Sequence, residues 1–211
     1  MEEKVLSEKE SLALIAEMIQ KTKRRFPFIG GEMFLFWGYL SVLVAVLVFW
    51  LGYTMKYEFA YWLWFLIPAV GFPVTYVQHR RERGQATAKS YVDRIIAGVW
   101  NFVRTLSIVF MLLCFVFMLC GYNTWLLMLL FAFEAIGFGA AVTGVVIQER
   151  SFVFGGILSM TAGALFTCFI ICGIPVQVMY VMLLYGVSFI FTLIVPGHIL
   201  NYKAKHSCLK N

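Results

Sequence analysis

The sequence predicts an all-α integral membrane protein, a bundle of six transmembrane helices built from three hairpins and preceded by an interfacial amphipathic helix. Its 211 residues are 62% hydrophobic and 13% charged, which is more apolar surface than one soluble domain can bury. Six apolar stretches each supply the roughly 20 residues that a helix needs to cross a hydrocarbon core of about 30 Å. Their apolar residues do not alternate with polar ones as barrel strands do, so helices are the form that satisfies the backbone within lipid.

The predicted spans divide the chain into three parts. Residues 1–31 form an N-terminal cytoplasmic segment, residues 32–200 the transmembrane domain and residues 201–211 a basic cytoplasmic tail. The six spans cover residues 33–53, 59–77, 95–120, 125–147, 152–172 and 178–200. Because the connections after spans one, three and five are short, we expect three tight hairpins.

Basic residues predict how the chain is threaded. Of the 17 lysines and arginines, all but Lys56 and Arg104 fall in segments that alternate onto one side of the membrane. The bias of basic residues towards the cytoplasm therefore predicts that both termini are cytoplasmic. The net charge of +6 is then mainly a topology signal, with attraction to anionic lipid head groups as a second effect. Nucleic acid is not an expected partner.

The N-terminal segment has the pattern of an amphipathic helix. Residues 7–10, SEKE, have the form of a capping box that begins a helix. Its apolar face carries Leu12, Ile15, Ala16 and Ile19. Pro27 separates this helix from the first span, which favours a helix lying along the membrane surface. Residues 7–25 then serve either as an anchor on the protein's own cytoplasmic ends or as a docking element for a cytosolic protein.

The connection between spans two and three is polar and basic. Residues 79–84, HRRERG, are expected to lie at anionic lipid head groups. Ser90 and Asp93 then predict the cap of a helix that runs to Cys120 and is longer than the hydrocarbon core requires.

Spans four and five carry matching stripes of small residues. In span four the stripe consists of Glu134, Gly137, Ala141, Gly144 and Gln148. In span five it consists of Gly155, Ser159, Gly163 and Thr167. Helices in lipid approach each other through small residues, so these two spans are predicted to pack closely.

Glu134 is a carboxylate in the middle of an apolar span. A buried carboxylate either takes a proton or pairs with a cation. The candidate cation is Arg104, which shares the cytoplasmic half of span three with Asn101. Arg104 either pairs with Glu134 or extends towards the inner head groups. Glu134 itself has two open interpretations, a structural hydrogen bond or ion pair and a role in handling a proton or a substrate.

The sequence contains no set of residues that predicts catalysis or a cofactor. His79, His198 and His206 have no ligand spacing with cysteine or carboxylate partners, so no metal site is expected. No nucleophile, base and orienting acid fall at one depth. Cys120 and Cys172 each lie at the end of a span; buried thiols are the favoured interpretation and a bond between them is the alternative.

Two segments resemble a family of uncharacterised bacterial six-span membrane proteins with an N-terminal amphipathic helix. They are SLALIAEMIQKTKRRF leading into FWGYL, and GFGAAVTGVVIQER at the end of span four. The resemblance implies a multi-pass protein of the bacterial cytoplasmic membrane and no known activity. The chain is also similar to permease subunits of ATP-driven exporters, but the short turn at residues 173–177 departs from the re-entrant element common there.

Together these features predict a non-enzymatic accessory or regulatory membrane protein. Its N-terminal helix and basic cytoplasmic edge are expected to engage a cytosolic protein or lipid, because nearly all polar features gather on that side. The alternative is a transporter for a small solute, coupled to protons, with Glu134 as the titrating group and Arg104 as its counter-charge. Association with further copies of the chain stays open.

Overall fold

The computed structural model describes residues 31–55, 58–84 and 91–209, and in these ranges the chain is helical apart from short turns. The α-helices are α1 (Glu32–Met55), α2 (Leu66–Gly84), α3 (Tyr91–Leu119), α4 (Trp125–Ile147), α5 (Arg150–Ile171), α6 (Val178–Phe189) and α7 (Val195–Leu209). A 3-10 helix, Glu58–Phe65, leads into α2, and a π-helix, Ile190–Ile194, joins α6 to α7. The predicted all-α fold is confirmed.

Six of the described helical stretches are long and apolar enough to cross a membrane. Span two consists of the 3-10 helix and α2, and span six of α6, the π-helix and α7; the other spans are single helices. The chain is therefore a multi-pass membrane protein. The helix start predicted from Ser90 and Asp93 agrees with the structure, in which α3 begins at Tyr91 and is 29 residues long. The amphipathic helix predicted over residues 7–25 lies outside the described residues.

The bundle has two chemically different ends. The first, which we call the basic end, holds the start of α1 and the end of α7. It carries Arg80, Arg81, Arg94, Arg150 and Lys203. At this end Lys203 Nζ lies 2.5 Å from a Glu149 carboxylate oxygen, which joins α7 to the turn between α4 and α5. The opposite end, the aromatic end, carries Trp50, Tyr53, Trp62, Tyr122 and Trp125.

Four spans form the core of the bundle and two lie at its edge. The buried share of the most apolar stretch of each span shows the difference. It is 50% in span six and 44% in span four, but 11% in span two and 11% in span three. The most extensive contact joins α4 to α5, and α1 packs along α6. Span two packs on α1, whereas α3 packs on α4. Spans two and three are thus attached to different neighbours.

Small residues bring the backbones of α4 and α5 together. A Cβ atom added at Gly137 would lie 2.9 Å from the Gly156 carbonyl oxygen, and one at Gly144 would lie 2.6 Å from the Val153 nitrogen. The Ser159 hydroxyl donates a 2.9 Å hydrogen bond to the Phe133 carbonyl oxygen. These contacts leave no room for larger side chains along the helix pair.

Gly155 departs from the predicted stripe. A Cβ atom there would collide with the Phe191 carbonyl oxygen, and the Thr192 hydroxyl donates a 2.9 Å hydrogen bond to the Gly155 carbonyl oxygen. Gly155 therefore packs on the π-helix of span six, and Gly156 takes its place against α4. The reason is that steps of four residues rotate by about 40° each, so Gly155 and Gly163 lie about 80° apart on α5.

The thiols of Cys114, Cys120, Cys168 and Cys172 are unbonded. Cys120 and Cys172 are exposed thiols at the aromatic end, while Cys114 is buried in α3. The bond considered between Cys120 and Cys172 does not form. The expected burial of these two thiols is wrong, because α3 packs along one side only and because Cys172 lies in the exposed turn after α5.

Candidate functional site

A cleft of about 1070 Å³ lies between span two and α3. It exists because these two helices make little or no contact with each other. Its floor is formed by buried residues of α1, α4 and span six, among them Phe34, Leu129 and Phe189. Since spans two and three lie at the edge of the bundle, the cleft opens sideways to where lipid would be.

Aromatic rings form most of the cleft wall. The lining includes Trp37, Trp64, Phe65, Phe72, Trp100, Phe110, Trp125, Phe131 and Tyr185. Two indole N–H groups are already used within the protein. Trp37 Nε1 donates to the Thr75 hydroxyl at 3.2 Å, and Trp100 Nε1 donates to the Thr143 hydroxyl at 3.1 Å. The two indoles are thus held in place and present apolar surface to the cleft.

Two arginines line the basic half of the cleft, Arg80 near the end of α2 and Arg104 about halfway along the α3 lining, which runs from Ile96 to Met111. Arg104 donates a hydrogen bond to the Asn101 side-chain oxygen, one turn away on α3. The Arg80 guanidinium lies 5.8 Å from the centre of the Tyr76 ring, within the range of a cation–π interaction. None of the described residues that line the cleft is acidic. This half of the cleft is therefore positively charged and has donors for an anion.

The middle of the floor carries a buried polar pair. Tyr185 is 4% exposed, and its hydroxyl meets that of Ser41 on α1, itself 2% exposed. The Tyr185 ring stacks on Phe189 with centroids 4.1 Å apart and meets the edge of Trp64 at 5.1 Å. Hydroxyl groups are thus fixed by packing at the centre of an otherwise apolar surface.

A second, smaller cavity of about 390 Å³ lies at the aromatic end. It is lined by Phe59, Tyr61, Trp62, Asn123 and Trp125. Trp125 lines this cavity and the cleft, so its ring is a wall common to both. The ring centroid of Trp125 lies 5.5 Å from that of Trp62, 5.7 Å from that of Phe65 and 6.0 Å from that of Tyr61. We call these four residues the aromatic cluster.

Glu134 lies away from the cleft. A Cβ atom at Gly163 of α5 would lie 2.7 Å from a Glu134 carboxylate oxygen, and the side chain is partly buried. Among the described residues the carboxylate makes no hydrogen bond or ion pair. The stripe of small residues that includes Glu134 predicted this packing against α5.

Of the two alternatives for Arg104, the pairing with Glu134 does not form. Gly139 is one of the α4 residues that face α3, since a Cβ atom there would lie 3.4 Å from both Trp100 and Val103. Glu134 precedes Gly139 by five residues and so points about 140° away from it. Arg104 bonds to Asn101 and lines the cleft instead.

Sequence reasoning identified Arg104 and Asn101 but missed the cleft that they line. An uncovered side of α3 could have been predicted from its polar residues Asn101, Arg104 and Ser107, because burying all of them against the apolar face of α4 would be costly. In the part of the chain that the structure describes, no three side chains of the metal-binding types lie together. No family model, curated protein or solved structure matches the chain.

Proposed function

We propose that the protein is a non-enzymatic membrane module that binds a lipid with an acidic, phosphate-bearing head group in the cleft between spans two and three. The observation that carries this proposal is that Arg80 and Arg104 both line an aromatic cleft in which no described lining residue is a carboxylate. Arginine binds phosphate oxygens through paired N–H donors. An apolar pocket with a few polar groups at one place is typical of ligand sites.

The dimensions of the cleft support a lipid rather than a small solute. Its volume of about 1070 Å³ lies at the upper limit for small-molecule pockets, which is ~1,000 Å³. On α3 the lining runs from Ile96 to Met111, about 22 Å at 1.5 Å per residue. An acyl chain can lie along this length, and it can leave through the open side without breaking a helix contact.

The basic end is proposed to face the cytoplasm, following the distribution of lysine and arginine. The cytoplasmic leaflet is where anionic lipids concentrate, so Arg80 and Arg104 meet the correct head groups there. The accessory role extends this proposal: residues 7–25 engage a cytosolic protein, or the membrane surface beside the cleft. Proton-coupled transport through Glu134 and Arg104 gains no support, because the two side chains lie on different sides of α4.

The first experiment measures lipid retained by the purified protein. The wild-type protein is placed in nanodiscs of phosphatidylcholine containing a minor fraction of phosphatidylglycerol, and bound lipid is identified by native mass spectrometry. We expect enrichment of phosphatidylglycerol, and its loss in the double variant Arg80→Gln/Arg104→Gln. Each lost charge-assisted contact is expected to cost roughly 1.5–3 kcal/mol, a large loss of affinity.

The matched control is Arg94→Gln/Arg150→Gln, which removes the same charge from the basic end at residues that do not line the cleft. It should keep the phosphatidylglycerol. Equal retention by both double variants would contradict a site in the cleft. A photo-crosslinker at Ser107 should attach to lipid; attachment to residues 7–25 of the same chain would mean that the cleft holds the protein's own N-terminal segment and that the proposal is wrong.

A further inference from the structure

The cleft is longer than the binding of a lipid in one leaflet requires. Its lining runs on span two from Arg80 at the basic end to Trp64 near the aromatic end, and on α4 from Ile136 to Trp125. The corresponding length on α3, about 22 Å, compares with a hydrocarbon core of about 30 Å. A lipid of one leaflet occupies only about half of that thickness. The cleft therefore continues past the midplane of the membrane.

Polar groups follow one another along this length. Asn101, Arg104 and Ser107 lie three residues apart on the face of α3 that lines the cleft, so successive groups are about 4.5 Å apart along the helix. Ser41 and Tyr185 also line the cleft, at the centre of its floor, where their hydroxyls bond to each other. A head group that enters hydrocarbon without partners loses its hydrogen bonds at a cost of several kcal/mol. A row of donors and acceptors lowers that cost.

The open side of the cleft matters for the acyl chains. Because α2 and α3 make little or no contact with each other, no packed pair of described helices separates this side of the cleft from the surrounding lipid. A head group can thus move along the polar row while its chains stay in the bilayer. Only the aromatic cluster interrupts this route, because the Trp125 ring stands between the cleft and the second cavity.

We infer that the cleft is a route for lipid exchange between the two leaflets, with the aromatic cluster around Trp125 as its closure. This inference rests on the proposed lipid binding and adds an activity to it. The exchange consumes no energy source, because no covalent step is involved and lipids move down their own gradient. Binding at Arg80 and Arg104 supplies the starting position, and displacement of the Trp125 ring completes the route.

The test uses proteoliposomes with a trace of fluorescent phosphatidylglycerol and a membrane-impermeant reductant that bleaches the outer leaflet. We expect bleaching beyond the outer-leaflet fraction with the wild-type protein and faster bleaching with Trp125→Ala. Loss of the aromatic contacts predicts an acceleration of about tenfold. Trp125→Phe, which keeps a smaller ring, should accelerate exchange less than Trp125→Ala. Trp62→Ala opens the same cluster from its other side and should also accelerate exchange.

A third variant separates exchange from binding. Ser107→Leu removes a polar group of the row and keeps both arginines and the Asn101 that holds Arg104, so bleaching should slow by a larger factor than the retention of phosphatidylglycerol in the nanodisc experiment falls. Bleaching that stops at the outer-leaflet fraction in the wild type, Trp125→Ala and Trp62→Ala would overturn the exchange inference. If lipid is still retained in that case, the proposed binding stands alone; if it is not, the proposed function fails as well.

Discussion

At the scale of single residues, depth and direction decide what a polar group does in this bundle. Glu134 and Arg104 are both unusual within spans, yet they lie on different sides of α4. Glu134 shares a face with glycines and therefore lies against Gly163 of the neighbouring helix. Arg104 lies on the side of α3 that no described helix covers, so it is available to an anion in the cleft. The small residues that share a face with Glu134 predicted its packing on α5, but nothing in the sequence predicted that the side of Arg104 would line a cleft.

Gly156 is the residue at which α4 and α5 should be most sensitive to an added atom. A Cβ atom there would lie 2.5 Å from the Gly137 carbonyl oxygen and 2.6 Å from the Ala141 nitrogen. Gly156→Ala is expected to lower the free energy of unfolding by about 1–3 kcal/mol, because the two backbones must separate. The measurement is thermal unfolding in detergent.

The control for this substitution is Gly52→Ala. A Cβ atom at Gly52 meets nothing within 4 Å, so alanine only favours the helix and the unfolding temperature should stay the same or rise slightly. Equal effects of the two substitutions would contradict the close packing of α4 on α5.

At the scale of helices, the sequence predicted the six spans because apolar length is a local property. The boundaries of α4, for example, follow directly from the apolar run between Trp125 and Ile147. The π-helix of span six could not be predicted in the same way. It is stabilised by contacts with other spans: Gly38 of α1 packs against Leu193 and Ile194, and Gly155 of α5 packs against Phe191.

Thr192 is the residue that ties the π-helix to α5. Its hydroxyl lies 2.9 Å from the Gly155 carbonyl oxygen and 2.8 Å from the Ser188 carbonyl oxygen, and the side chain is fully buried. Thr192→Val keeps the shape and removes the hydroxyl. We expect a loss of roughly 0.6–1.7 kcal/mol in the free energy of unfolding, the range measured for hydrogen bonds between membrane helices.

Thr161→Val is the matched substitution, because the Thr161 hydroxyl bonds only to the Ile157 carbonyl oxygen of its own helix and the residue is exposed. It should leave the unfolding midpoint nearly unchanged. A midpoint that falls equally in both variants would show that the Thr192 bond to α5 adds no stability.

At the scale of the whole molecule, the candidate site arises because span two and α3 make little or no contact with each other. The members of each predicted hairpin are in contact, and the close packing of α4 on α5 was also predicted, but the sequence did not predict that α1 packs along α6 and leaves spans two and three at the edge. Which helices become neighbours depends on the complementary surfaces of all six, as with Gly71 of α2, which contacts the Trp37 ring of α1. These surfaces involve residues from the whole chain, so the cleft between spans two and three could not be predicted from any single segment.

The peripheral position of spans two and three predicts that the width of the cleft varies and that lipid narrows this variation. Span two packs mainly on α1 and reaches α4 and α6 through the aromatic residues of its 3-10 helix, while α3 packs on α4, so few contacts oppose the separation of α2 from α3. Spin labels at Val74 and Val109, both exposed, report this width in a variant without native cysteines. We expect a broad distance distribution in phosphatidylcholine and a narrower one with phosphatidylglycerol, because a bound lipid contacts both walls.

Labels at Val145 and Phe154, exposed on the packed α4 and α5, should give a narrow distribution in either lipid. A narrow, lipid-independent distribution across the cleft would mean that its walls are fixed and that lipid binding does not draw them together.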